Sequence, residues 1–191
     1  MTLRRGFRAE AERHATQIRG ALGLTDDDRL DVVDAAAHLD VAVVSASDLV
    51  DAKRLEELER LQAFAFSACT FEIGGKNIIV FNPVRSEARR VSDVAHELSH
   101  IILKHQLTEF REVAGIPFRT CRADQEEEAT TLGGALLLPR ALLLRAAQRG
   151  MDVEEIAKAY GVTPEMAKFR YNTTGVARQL TRSRTAKGDT G

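Results

Sequence analysis

Hydrophobic residues follow helical spacing in some segments of this chain and strand-like composition in others. Apolar positions three and four residues apart predict an amphipathic opening helix over residues 4–22. Residues 41–44 predict a short strand because they are rich in valine. Residues 64–73 and 77–82 are rich in Phe, Ile and Val and are separated by Gly74-Gly75-Lys76, which predicts a β-hairpin.

Two further helices are predicted between the opening helix and the hairpin. The first takes its N-cap from the Thr and Asp residues at 25–28 and continues to about Leu39. The second is capped by Ser47 or Asp48 and continues to about residue 61. Helical spacing predicts that its buried positions are Leu55, Leu58 and Leu61.

The helix predicted after the hairpin carries the sequence His96-Glu97-Leu98-Ser99-His100. Residues four apart in an α-helix lie on one face, so the two histidines can bind one zinc ion together. Glu97 would lie beside the metal and act as general base toward a zinc-bound water. The histidines lie at the edge of a predicted buried stripe, which consists of Val91, Val94, Ala95, Leu98, Ile101 and Ile102.

A catalytic zinc site needs a third protein ligand, because three ligands leave one position open for water. The acidic segment 124–130 begins a second predicted helix that then becomes apolar. Glu126 is the predicted ligand, since it stands four residues before Thr130, whose hydroxyl could support a metal-binding histidine. Glu128 stays open as the alternative ligand, because it lies nearer the apolar segment.

The second predicted helix contains two consecutive glycines, Gly133 and Gly134. Each costs roughly 1 kcal/mol relative to Ala inside a helix. The usual compensation is the close approach of a neighbouring helix, and the helix that carries the two histidines is the expected neighbour.

The connection between the two ligand-bearing helices, residues 104–123, is predicted to be loop and irregular structure that lines the cleft or covers it. It contains His105, one turn beyond the histidine helix. We expect this side chain to be exposed, and a role in oxyanion stabilisation or proton transfer is the alternative.

Residues 152–172 have the spacing of a helix-turn-helix, with Gly161 in the turn and Thr163-Pro164 at the start of the second helix. This second helix presents few polar side chains outward, so packing on the rest of the chain is favoured over DNA contact. Lys168 and Arg170 are the basic residues through which DNA contact would be tested.

The composition restricts the class of protein. Hydrophobic residues make up 44% and charged residues 29% of 191 residues, which suits one globular domain with at most a small appendage. The net charge of −1 gives no overall field toward nucleic acid or a membrane. The sequence shows no apolar leader and no apolar run long enough for a membrane helix, and Cys69 and Cys121 form no CxxC pair. We therefore expect a cytoplasmic protein with reduced thiols.

Two motifs at this spacing resemble the ImmA/IrrE family of zinc metallopeptidases. The first is the sequence at 96–100, and the second is the Glu-, Ala- and Leu-rich sequence from Glu126 to Pro139. Thr130 departs from this resemblance, because the family often has Asn there. The resemblance covers about residues 3–180, and further segments that carry it are 3–13, 66–71 and 78–82.

The resemblance implies a fold and a division of the chain. The fold is α+β, a mostly helical zincin-like metallopeptidase domain with a small antiparallel hairpin packed on the metal-binding helix. The predicted divisions are a metallopeptidase domain over 1–150, a helix-turn-helix-like segment over 151–180 packed on it, and a disordered basic tail over 181–191.

The resemblance also implies an activity, a cofactor and a partner. The protein is expected to be a zinc-dependent endopeptidase that binds Zn²⁺ through His96, His100 and Glu126, with Glu97 as the catalytic base. Its expected substrate is a regulatory protein, in particular a transcriptional repressor, and no membrane partner is expected.

One alternative function and one question stay open. The alternative is a non-proteolytic transcriptional regulator that binds DNA or protein on a zincin scaffold, although such a regulator has no physical need to keep Glu97. The residue that stabilises the oxyanion is not fixed by the sequence, and its candidates are Tyr160, Tyr171 and His105.

Overall fold

The computed structural model describes residues 3–61, 66–106, 109–113 and 116–179. The described part is mostly helical with two small sheets, which confirms the predicted α+β class. The helices are α1 (Phe7–Ala21), α2 (Val32–His38), α3 (Ala52–Leu61), α4 (Glu87–Ile102), α5 (Ala123–Leu137), α6 (Arg140–Gln148), α7 (Val153–Tyr160) and α8 (Pro164–Thr173). The strands are β1 (Ala42–Ser45), β2 (Ala68–Ile73), β3 (Lys76–Phe81), β4 (Glu109–Val113) and β5 (Ile116–Thr120).

Helix α5 lies at the centre of the core and packs against both α1 and α4. A Cβ atom added at Gly133 would lie 3.1 Å from the backbone carbonyl of Ala95, so α5 and α4 meet backbone to backbone at that point. Gly134 instead faces α8, where its Cβ would lie 2.7 Å from Cδ of Arg170. The predicted approach to the histidine helix is therefore confirmed for Gly133, but Gly134 makes room for a different helix.

The main sheet has the strand order β1-β3-β2 and is mixed. The predicted hairpin is present as the antiparallel pair β2 and β3, in which Thr70 lies opposite Ile79. Strand β1 pairs with β3 in parallel, with Ala42 opposite Ile78. The antiparallel hairpin is therefore confirmed, and β1 adds a parallel pair on its far side that makes the sheet mixed and β3 its central strand.

Residues 109–120 contain a second sheet where loop was predicted. Strands β4 and β5 form an antiparallel ribbon in which Glu109 lies opposite Thr120 and Glu112 lies opposite Pro117. The segment contains several charged residues and one proline, Pro117. A two-stranded ribbon leaves one edge of each strand unpaired, so a residue without an N–H is tolerated there.

Two predicted helix starts are wrong. Helix α2 is capped by Asp31, whose Oδ1 accepts from the N–H of Val33 at 2.7 Å, whereas residues 25–28 form a separate turn closed by Asp28. A short 3-10 turn over 46–48 follows Ser45, and α3 begins only at Ala52. Asx-type side chains can satisfy backbone donors in turns as well as in helices, so the sequence alone did not decide between the two.

The predicted buried face of α3 is only partly buried. Leu55 packs into a small cluster with Ala46 and Val80, whereas Leu58 and Leu61 are 42% and 75% exposed. Helical spacing identifies an apolar face, but burial also needs a neighbouring element along its whole length.

The C-terminal helix pair follows the prediction closely. Gly161 has φ 65° at the end of α7, and the Thr163 hydroxyl accepts from the N–H of Met166 at the start of α8. Arg170 is only 3% exposed, and its Nε donates to the carbonyl of Leu138 at 3.0 Å. Arg170 also pairs with Glu12 of α1, so α8 packs on the helical core and this arginine is not available to DNA.

Two predictions about the chain's organisation are not tested by this geometry. The boundary between 1–150 and 151–180 stays a prediction, and the predicted tail over 181–191 lies outside the described residues. Within the described residues, no helix has both the length and the apolar character that a membrane span requires.

Candidate metal centre

Helix α4 presents the two histidines on one flank of a buried stripe. The helix begins after Ser86, whose hydroxyl accepts from the N–H of Arg89. Val94, Ala95 and Leu98 are buried against the core, and the histidines flank this stripe with partly exposed rings. The stripe therefore fixes the rotation of α4 about its axis and turns the histidines toward α5.

The second element brings one carboxylate to these histidines. Oε2 of Glu126 lies 3.1 Å from Nε2 of His96 and 3.6 Å from Nε2 of His100, and the two Nε2 atoms lie 3.0 Å apart. The ligand atoms of the three residues all lie within 4.8 Å of one another. Glu126 stands seven residues before Gly133, so both lie on the face of α5 that meets α4. The close helix contact thus brings the carboxylate to the imidazoles.

The electrostatics of Glu126 suit a metal ligand. Burial raises the pKa of its carboxyl, but hydrogen bonds with His100 and His96 outweigh this effect and hold the pKa well below its usual range. Glu126 is therefore a carboxylate at neutral pH. Two imidazole nitrogens and one carboxylate oxygen form a donor set that zinc accepts, with a fourth position left open. The residues present fit the metal that the sequence implied.

Glu128, the alternative ligand in the sequence, lies on the far side of the histidines. Its Oε2 lies 3.3 Å from Nε2 of His105, and its Oε1 accepts from Nε of Arg4 at 3.1 Å. It is not a member of the cluster formed with the Nε2 atoms of His96 and His100. Of the two glutamates, only the predicted ligand Glu126 thus lies in the cluster.

Glu97 lies beside the cluster rather than in it. Its Oε2 accepts a hydrogen bond from the hydroxyl of Thr70 at 2.6 Å, which ties it to strand β2. Thr70 was not among the residues predicted to form the site. Its signal in the sequence was a polar, β-branched residue between Cys69 and Phe71, in the strand pair that precedes the histidine helix.

The outer nitrogens of both histidines also have partners. Nδ1 of His96 lies 3.4 Å from the hydroxyl of Thr130, which is the supporting contact that the sequence analysis expected. Nδ1 of His100 lies 3.0 Å from Nδ1 of His105 and 3.3 Å from Sγ of Cys121. Burial raises the pKa of the Cys121 thiol to about 11, so the thiol is neutral.

The expectation of an exposed His105 is wrong. Its side chain is only 5% exposed, and burial lowers its pKa although the hydrogen bond with Glu128 acts in the opposite direction. The ring faces Nδ1 of His100, away from the Nε2 atoms of the cluster. His105 therefore does not point to the place where an oxyanion would form.

The two tyrosine candidates for oxyanion stabilisation lie elsewhere. The hydroxyl of Tyr160 accepts a hydrogen bond from the guanidinium of Arg149, which lies at the C-terminal end of α6. The ring of Tyr160 is part of the buried core. Tyr171 packs against the same core from α8. Within the described residues, neither tyrosine has a contact with His96, His100 or Glu126, and the oxyanion donor stays unassigned.

The fold and the site define the class of this protein. In an α+β chain, two histidines four residues apart on one helix meet a carboxylate from a following helix, which is the arrangement of a zincin-like metallopeptidase domain. A comparison with family models matches residues 38–172 to a peptidase family described as the IrrE N-terminal-like domain. The match spans more than half of the chain, so the chain belongs to this family.

The family match confirms the resemblance to ImmA/IrrE metallopeptidases and includes α4 and α5, hence every residue of the candidate centre. It supports a metal-dependent protease whose substrate is a protein. Neither the curated proteins nor the solved structures gave a match to this chain.

Proposed function

We propose that this protein is a zinc-dependent endopeptidase whose metal is held by His96, His100 and Glu126. The observation that carries the proposal is the convergence of three ligand atoms, from two helices, within 4.8 Å. Two histidines and one carboxylate leave a coordination position open, as a catalytic site needs and a structural site does not. Membership of a peptidase family supports the same reaction class.

The metal and the protein have separate tasks in peptide hydrolysis. When bound, zinc supplies a Lewis acid that polarises the scissile carbonyl and lowers the pKa of water toward neutrality. Glu97 takes a proton from the attacking water and delivers it to the leaving amine. Because the hydroxyl of Thr70 holds Oε2 of Glu97, Oε1 is the oxygen available for this transfer. Thr70 thus restricts the carboxylate to one orientation.

Strand β2 is the element that would hold the substrate backbone. In the strand order β1-β3-β2, the central strand β3 has both edges paired, whereas β2 is at the edge of the sheet. An extended peptide can pair with the free N–H and C=O groups of such an edge. Thr70 belongs to β2 and contacts Glu97, so a peptide on this strand would lie next to the general base.

Metal content decides whether the proposed site exists. Elemental analysis of the purified wild-type protein is expected to give about one zinc per chain. His100→Ala and Glu126→Ala should lose the metal, whereas Glu128→Ala should retain at least part of it because Glu128 does not reach the cluster. A protein that takes up no zinc, or a Glu126→Ala variant with full zinc content, would contradict the proposal.

The substrate is proposed to be a regulatory protein, in particular a transcriptional repressor, as the family resemblance implies. Candidate repressors would be incubated with the zinc-loaded protein, and the products measured by intact mass spectrometry. We expect two fragments from a single cleavage, and no fragments after a chelator removes the metal. Cleavage that persists in the chelator would exclude a metal-dependent reaction.

The alternative, a non-proteolytic regulator that binds DNA through α7 and α8, has less support in this geometry. Lys168 is exposed, but Arg170 is buried against Leu138 and Glu12. A gel-shift measurement with Lys168→Ala tests the remaining basic contact. Loss of DNA binding in this variant, together with an unchanged cellular phenotype of Glu97→Gln, would place the regulator first.

A further inference from the structure

The C-terminal end of α4 brings His105 back onto His100. Lys104 has φ 54°, the N–H of His105 donates to the carbonyl of His100 at 3.0 Å, and the N–H of Lys104 donates to the carbonyl of Ile101 at 3.1 Å. These two bonds and the left-handed residue form a Schellman motif. The motif usually joins its first and last residues by a hydrophobic contact. Here that contact is made by two imidazole rings, with their Nδ1 atoms 3.0 Å apart.

Metal ligation fixes the direction of this hydrogen bond. If Nε2 of His100 offers its lone pair to zinc, the proton of that ring lies on Nδ1 and is donated to His105. Nδ1 of His105 must then accept, which leaves the His105 proton on Nε2. That atom lies 3.3 Å from Oε2 of Glu128 and donates to it. The reverse direction would place a proton on Nε2 of His100 and block the ligand atom.

The far end of this chain of hydrogen bonds is anchored by charge. Oε1 of Glu128 accepts from Nε of Arg4 at 3.1 Å, and Arg4 also pairs with Glu10 at 3.0 Å. Glu128 stands two residues after Glu126, so α5 contacts the histidines from two sides. Glu126 contacts the Nε2 atoms of His96 and His100, and Glu128 contacts Nε2 of His105.

We propose that His105 is a positioning residue, which together with Glu128 holds the His100 ring in the tautomer and orientation that bind the metal. The inference rests on the proposed function, because it requires that His100 be a ligand. Cys121 is the other neighbour of Nδ1 of His100, at 3.3 Å, but cysteine sulfur is a weak hydrogen-bond acceptor. Loss of His105 therefore leaves the ligand with the poorer partner.

Metal affinity is the quantity that this role changes. Zinc would be titrated into the metal-free full-length protein against a chromogenic chelator, for wild type and His105→Ala. We expect the zinc Kd of His105→Ala to rise about 10- to 100-fold, the range typical for loss of a residue that orients a ligand. His38→Ala, which removes an exposed histidine from the end of α2, is the matched control and should keep the wild-type Kd.

Two further variants separate positioning from packing. His105→Asn keeps an acceptor near the position of Nδ1 but gives up the donor to Glu128, so its Kd should lie between those of wild type and His105→Ala. Glu128→Gln should also weaken zinc binding, whereas Glu127→Gln, one residue earlier on α5, should not. The visible spectrum of the cobalt(II)-loaded protein should change in His105→Ala, because the ligand field changes when His100 turns.

The outcomes distinguish this inference from the proposed function. If wild type binds neither zinc nor cobalt, the proposed function itself fails. If wild type binds zinc and Glu126→Ala does not, but His105→Ala keeps the wild-type Kd and cobalt spectrum, only the positioning role fails. If His105→Ala does not fold, Glu128→Gln decides, and an unchanged zinc Kd in that variant overturns the positioning role.

Discussion

The helix pairs α4–α5 and α7–α8 use their polar residues in opposite ways. On α4 and α5, the side chains of His96, His100 and Glu126 turn their ligand atoms toward one shared space. On α8, the guanidinium of Arg170 donates to the carbonyl of Leu138 and forms an ion pair with the carboxylate of Glu12. The first pair brings together ligand atoms that can still bind a metal ion. In the second pair, the charge of Arg170 attaches α8 to the core. Chemistry is therefore expected from the first pair and stability from the second.

Substitution of Glu97 by Gln should have the largest effect and should act on the first pair alone. The amide cannot accept the water proton, so kcat should fall by about 10²- to 10⁴-fold, the usual contribution of a general base. Zinc content should stay at the wild-type level, because Glu97 lies outside the ligand cluster. The measurement is cleavage rate under single-turnover conditions beside elemental analysis. Full cleavage by the zinc-loaded variant would exclude Glu97 as the base.

Substitution of Arg170 by Met should test the second pair with an effect on stability. Removing the buried guanidinium takes its donors from Oε1 of Glu12 and from the Leu138 carbonyl, while the N–H of Arg140 still donates to Oε2 of Glu12, so the free energy of unfolding should fall by about 3 kcal/mol. Denaturant unfolding measures this change. Lys168→Met is the matched exposed control and should stay within about 0.5 kcal/mol of wild type. If Arg170→Met kept its stability and lost DNA binding, the comparison of the two pairs would be reversed.

Substitution of Gly133 by Ala should disturb the close backbone contact between α4 and α5. The new Cβ would lie 3.1 Å from the Ala95 carbonyl, so the helices must separate slightly, at a cost of about 1–2 kcal/mol in unfolding free energy. The zinc Kd should rise as well, because the same contact brings Glu126 to the histidines. Gly20→Ala on α1 has no atom within 4 Å of its new Cβ and should instead stabilise by up to about 1 kcal/mol. Equal effects of the two substitutions would contradict the close contact.

Substitution of Thr70 by Val should have the smallest of these effects. The change removes the hydrogen bond to Oε2 of Glu97 and keeps the shape of the side chain, so kcat should fall roughly 5-fold, about 1 kcal/mol. The KM should stay near the wild-type value, since the backbone edge of β2 is unchanged. Steady-state cleavage kinetics measure both constants, and Thr16→Val on the exposed side of α1 is the control. A rise in KM alone would assign Thr70 to substrate binding instead.

Local periodicity explains what the sequence predicted well. The spacing of His96 and His100 and the turn at Gly161 depend on neighbours within a few residues, so the chain's own pattern specifies them. The near-backbone contact at Gly133 was predictable because a glycine inside a helix needs a compensating approach.

Long-range geometry explains what the sequence left open. The choice between Glu126 and Glu128 depends on how α5 is rotated against α4, and no local pattern reports that rotation. The burial of His105 depends on Lys104 adopting a left-handed conformation, which a lysine rarely does and which the sequence did not signal. The choice of ligand and the burial of His105 therefore depend on the three-dimensional arrangement of α4 and α5.

The contact of α1 with α5 has a consequence for how the chain folds during synthesis. Arg19 of α1 donates to the carbonyl of Leu136, across 117 residues. At a translation rate of about 5–20 residues per second, those 117 residues take roughly 6–23 s to be made. For that interval the apolar face of α1, formed by Phe7, Ala11 and Ala15, has been synthesised while its partner helix has not. Helix α1 can therefore pack on α5 only after that interval, during which chaperones that bind nascent apolar segments have access to its apolar face.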